Sequence, residues 1–77
     1  MSVKQPRITS NEVVKVLNKI GFILDRQKGS HAIYKKDNLR VVVPIHKGKI
    51  IKPKTLAGII EDMDLSIDEF KNILINK

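Results

Sequence analysis

The sequence predicts an α+β fold in the order α-β-β-β-α-α, with one three-stranded antiparallel sheet carrying its helices on one face. Three observations carry that expectation. Apolar residues recur at helical spacing behind two capping-box signatures, one near each end of the chain. Between them lie three β-prone runs, separated by the turn pairs Gly29-Ser30 and Asp37-Asn38. A parallel crossover needs about a dozen residues, so connectors this short give an antiparallel meander.

Thr9-Ser10-Asn11-Glu12 opens the first helix, with Glu12 at the third helical position and Ile8 and Val13 spaced as a hydrophobic staple. Val13, Val16, Leu17 and Ile20 form its apolar stripe, and Gly21 stands where a glycine stops a helix. The runs FILDRQK, HAIYKK and LRVVVPI follow as strands. Pro44 cannot donate to a ladder, so it ends the third strand or places it at an edge. After the loop HKGKIIK, Pro53 suits the first position of a second helix, whose buried stripe is Leu56, Ile59, Ile60 and Met63. Ser66 and Glu69 repeat the capping box, with Leu65 and Phe70 as staple and Ile73 and Leu74 continuing a short terminal helix.

A length of 77 residues suits one domain, 1–77, with a single apolar core. The absence of cysteine excludes disulfides and thiolate metal sites, and two histidines alone make a poor zinc site. No apolar run approaches the roughly 20 residues of a membrane span, and the start MSVKQPR lacks the apolar segment of a signal peptide. A cytoplasmic location without membrane association is expected. Charge is unevenly divided. Residues 26–54 hold nine Lys and Arg against Asp37 alone, a charge of +8, while the remainder of the chain sums to −1. Such a concentration attracts polyanions through counterion release and points to nucleic acid, where ordinary surfaces intersperse both signs.

Gly29-Ser30 is a turn that leaves His31 at the sheet margin, and imidazole, with a reference pKa of about 6.5, is suited to acid–base work near neutral pH. On these residues alone, His31 reads either as a candidate acid or base or as an ordinary turn histidine. His46, in PIHKGKIIK, reads either as part of a phosphate-contact loop with Lys47, Lys49 and the amides near Gly48 or as a plain loop residue. This loop lacks the spacing of a P-loop. With Phe22, Tyr34 and Phe70 as the only aromatic residues, no row of rings exists for stacking successive bases. No acidic pair occurs in the basic segment, which disfavours glycosidase and two-metal nuclease chemistry.

The run GSHAIYKK followed by RVVVPIHKGKIIKPKTLAGIIEDMDLSIDEF resembles the HicA family of small mRNA interferase toxins, also described as YcfA-like, from bacterial and archaeal HicA-HicB toxin-antitoxin systems. The resemblance covers nearly the whole chain. It runs from a helix ending in Gly-Phe, through Gly-Ser-His opening the second strand and the Val-Pro-x-His loop, to the Leu-Ser-x-x-Glu-Phe ending. It implies a fold like a double-stranded-RNA-binding domain with a short extra C-terminal helix, and His31 as the catalytic residue. It also implies an endoribonuclease that cleaves mRNA without a metal or other cofactor and is neutralised by a HicB-like antitoxin covering the active site, with a higher-order toxin-antitoxin assembly as a candidate.

The chemistry is consistent with that resemblance. RNA carries its own nucleophile, the 2′-hydroxyl, so a base and cationic donors suffice in principle. His31 is the expected base, Lys28, Ser30, Lys35, Lys36, Lys47 and Lys49 the expected RNA contacts, and His46 a candidate second acid or base. Competing readings are a non-catalytic double-stranded-RNA-binding module on the same face and an interaction subunit whose basic face holds an acidic partner.

Overall fold

The structure, a computed structural model, describes residues 7–76, so most of the N-terminal segment MSVKQPR lies outside the described residues. Its elements follow the predicted order: α1 (Ser10–Lys19), β1 (Ile23–Lys28), β2 (His31–Lys36), β3 (Leu39–Pro44), α2 (Pro53–Asp62) and α3 (Ile67–Ile75). Both capping boxes form in full. The Thr9 hydroxyl accepts from the Glu12 N–H while the Glu12 carboxylate accepts from the Thr9 N–H, and Ser66 and Glu69 repeat the arrangement on α3. Gly21 closes α1 at φ +98°, with its N–H bonded to Asn18 O and the Phe22 N–H to Leu17 O, the paired bonds of a Schellman motif. The same pair of bonds closes α2, where Asp64 takes the left-handed position at φ +63°.

The sheet is an antiparallel meander of order β1-β2-β3, so β3 is an edge strand, and Pro44 is its last residue, which meets both positions open to a residue that cannot donate. Strand alternation sends Ala32, Tyr34, Val41 and Val43 to the helix side, where they join Val13, Val16, Leu17, Leu56, Ile60 and Phe70 in one core. Phe22 belongs to that core, so β1 begins one residue later than the sequence pattern indicates.

Two features depart from the simple pattern. Every residue of β1 is exposed, because the helices pack over β2 and β3 and leave β1 as an overhanging edge. A bulge between Leu24 and Arg26 interrupts its pairing with β2. On the face away from the helices, Ile33 is nevertheless buried, flanked in register by Arg26 on one side and Val42 on the other. Long cationic side chains flank an apolar centre there, an arrangement in which methylene stems shield the aliphatic surface while the charges stay in water.

Candidate functional site

The register builds the site around His31. It opens β2, and the residues directly across from it are Lys28 of β1 and Pro44 of β3. Directly opposed residues share a face, so His31, Lys28 and Pro44 form one rung of the open side. The next rung holds Arg26, Ile33 and Val42, and the one beyond it Ile23, Lys35 and Arg40. Gly29 makes the preceding turn at φ +55°, and the Ser30 carbonyl accepts from the Ile45 N–H at 2.6 Å, tying this turn to the end of β3.

Ser10 completes the support. Its hydroxyl donates to the Pro44 carbonyl at 2.6 Å and accepts from the His46 N–H at 3.3 Å. Only 3% of its surface is exposed, so one buried hydroxyl on the first turn of α1 anchors the chain where it leaves β3. The loop beyond is held by a Thr9–Ile50 bridge and an Ile51 N–H to Ile8 O bond of 2.8 Å.

Between this loop, the open end of β3 and the first turn of α2 lies a cavity of about 480 Å³. His31 and His46 both line it, together with Lys49, Lys52, Thr55 and Ser10. Its remaining walls are aliphatic: Val42, Pro44, Ile50 and Ile51. Among the described residues no carboxylate lines it, so its charge is cationic throughout. Two imidazoles and two ammonium groups around one recess can hold a phosphate diester and exchange protons with it.

Residues 10–65 match the family model of the HicA toxin of bacterial toxin-antitoxin systems. The chain belongs to the HicA toxin family. The matched segment runs from the first residue of α1 past the end of α2, and so contains every residue lining the cavity, while α3 lies beyond it. No curated protein matches the chain. Membership of a toxin-antitoxin family makes an antitoxin the expected partner of this HicA chain. None of the helices of the described residues is long and apolar enough to cross a membrane. Nor do three or more His, Asp or Glu side chains gather among the described residues as a metal site would require.

The expected site residues of this HicA protein separate into groups. His31, His46 and Lys49 meet in the cavity, with Lys28 across the strand pair from His31. Lys47 lies on the other side of His46, in a smaller recess with Thr9 and Asn11. Lys35 shares the open face but stands four residues along the strand from His31, roughly 13 Å at strand rise, and its ammonium is 3.6 Å from the Asp25 carboxylate. Lys36 points to the opposite side, its ammonium 6.0 Å from the centre of the Phe22 ring. Ser30 contributes a backbone carbonyl to the turn.

Ser10, Lys52 and Thr55 also line the cavity, although they do not stand among the expected site residues. For Ser10 a signal exists in the sequence: it shares the spacing of Val13 and Leu17, which puts a hydroxyl on the buried stripe of α1. Lys52 and Thr55 carry no local signal, since only the approach of α2 to the end of β3 brings them to the recess.

Proposed function

We propose that this HicA-family protein is an mRNA-cleaving toxin in which His31 is the general base, and that a HicB-like antitoxin neutralises it by covering the same cavity. The observation that supports this reading is the convergence of His31 and His46 on one cationic recess. In the proposed reaction His31 takes the proton of the 2′-hydroxyl, and the 2′-oxygen attacks the adjacent phosphorus. The P–O5′ bond breaks, leaving a 2′,3′-cyclic phosphate on one product and a 5′-hydroxyl on the other. His46 supplies the proton to the departing 5′-oxygen. Lys28, Lys49 and Lys52 face the developing charge on the phosphoryl oxygens, the kind of electrostatic stabilisation on which such a step depends. The nucleophile belongs to the substrate, so the route needs no metal-activated water.

His31→Ala removes the base and lowers cleavage of a labelled RNA by about 10²–10⁴-fold, the usual range for a positioned acid–base group. His31 is exposed, so the variant keeps its fold and most of its RNA affinity. Wild-type cleavage by His31→Ala, or products carrying a 2′-hydroxyl beside a 5′-phosphate, would sink the mechanism. Equal cleavage with and without EDTA is expected. A non-catalytic RNA-binding module on the same face would show no cleavage in either protein.

A further inference from the structure

We infer that the cavity beside His31 is a pocket for one unpaired nucleobase, so that the protein engages single-stranded RNA in preference to a duplex. This rests on the reading of that cavity as the RNA site. A phosphate requires only the cations: Lys49 and Lys52 would satisfy it without any apolar wall. The recess is instead lined also by Val42, Pro44, Ile50 and Ile51, and has a volume of about 480 Å³, within the range of small-molecule pockets. The ligand it fits is an anion joined to a flat apolar group, which describes a nucleotide.

Ile50 is the sharpest indication. A β-branched residue 47% exposed sits within a lysine-rich loop, its backbone bridged to Thr9, so the wall is already in place before any ligand arrives. Covering it removes apolar surface from water, a gain available only when something apolar enters. The alternative of stacking bases on rings is closed. Phe22, Tyr34 and Phe70 are all buried, at 2%, 7% and 0% exposure, so the open sheet face presents no aromatic platform. Paired bases hide their faces in the stack, and extruding one costs a few kcal/mol, which favours strands that are already unpaired.

The test uses uncuttable probes on the full chain. Nucleoside 3′-monophosphates and inorganic phosphate are titrated while the methyl resonances of Val42, Ile50 and Ile51 are followed by NMR. Nucleotides are expected to shift those methyls and to bind at least tenfold more tightly than phosphate. Ile50→Ala should remove most of that ratio while phosphate affinity changes less than twofold, and Ile50→Leu should restore it. A 2′-O-methyl RNA strand should displace the nucleotide at lower concentration than the same strand in a perfect duplex. Equal affinity for phosphate and nucleotide, or equal displacement by strand and duplex, would overturn the inference. The two readings fail separately. If nucleotides bind the pocket but RNA is not cut, the mechanism alone is lost. If RNA is cut but nucleotides bind no better than phosphate, the pocket alone is lost.

Discussion

Ser10 shows how one buried side chain can hold a site together. Its hydroxyl satisfies the Pro44 carbonyl and the His46 N–H at once, in a buried position where an unpartnered polar group is costly. Ser10→Ala is expected to lower unfolding stability by roughly 1–2 kcal/mol in urea titration, the usual cost of a buried hydrogen bond left unmade. It should also lower the turnover rate more than it raises the Michaelis constant, because the loop carrying His46 loses its anchor while the lysines remain. His46 itself has a sharper test. If it protonates the 5′-oxygen, a substrate with sulfur at that bridging position needs no such proton, since a thiolate leaves unaided. His46→Ala should then cut ordinary RNA poorly and the sulfur-bridged substrate at nearly the wild-type rate. Equal impairment on both would remove His46 from the leaving-group role.

At the scale of elements, α1 and α2 are stopped by the same device with different residues. Gly21 holds the left-handed position after α1 at no steric cost, whereas Asp64 holds it after α2 with a side chain that costs something at φ +63°. Asp64→Gly should stabilise the protein by about 0.5 kcal/mol, part of the strain relief being offset by the greater chain entropy of glycine. That corresponds to a rise in melting temperature of roughly 2–4 °C for a domain of this size. A fall would mean that the Asp64 side chain makes a contribution its backbone conformation does not reveal. The strands divide the same way between local and long-range control. Turn pairs set their lengths, but the exposure of β1 on both faces comes from the helices covering only β2 and β3. An edge interrupted by a bulge and bearing Arg26 and Lys28 is poorly suited to pair with another strand, which protects a small basic protein from edge-to-edge association.

For the whole molecule, the charge division of the sequence becomes a surface. Arg26, Lys28, Lys35 and Arg40 flank Ile33 on the open face, and Lys49 and Lys52 continue the positive field to the cavity. Affinity for single-stranded RNA should fall with salt at a slope of about −0.7 for each phosphate neutralised. The double variant Lys35→Ala, Arg40→Ala should reduce that slope by up to about 1.4 in binding titrations at several salt concentrations, with the cleavage rate at saturating RNA little altered. An unchanged slope would mean that the strand does not cross this face. Asp25, paired with both Arg26 and Lys35, limits how much each cation contributes.

The amino-acid sequence by itself determined the element order, both capping boxes, the glycine stop of α1 and the basic segment, and it limited Pro44 to the end of a strand or to an edge. All of these rest on neighbours within a few residues, where spacing and turn chemistry are decisive. It also brought forward His31 as the expected base and His46 as a candidate second acid or base, without any geometry to join them. Only the tertiary structure decided that they share a recess, because residues 15 positions apart are joined there by strand register and by a Ser10 hydroxyl 34 positions from its acceptor. The lysines divide for a related reason. Lys35 and Lys36 are adjacent in the chain, but a strand repeats every two residues, so one joins the face of His31 and the other lies against Phe22. Composition records how much charge a segment carries; the pleat and the packing of α2 against the end of β3 decide which charges share the recess.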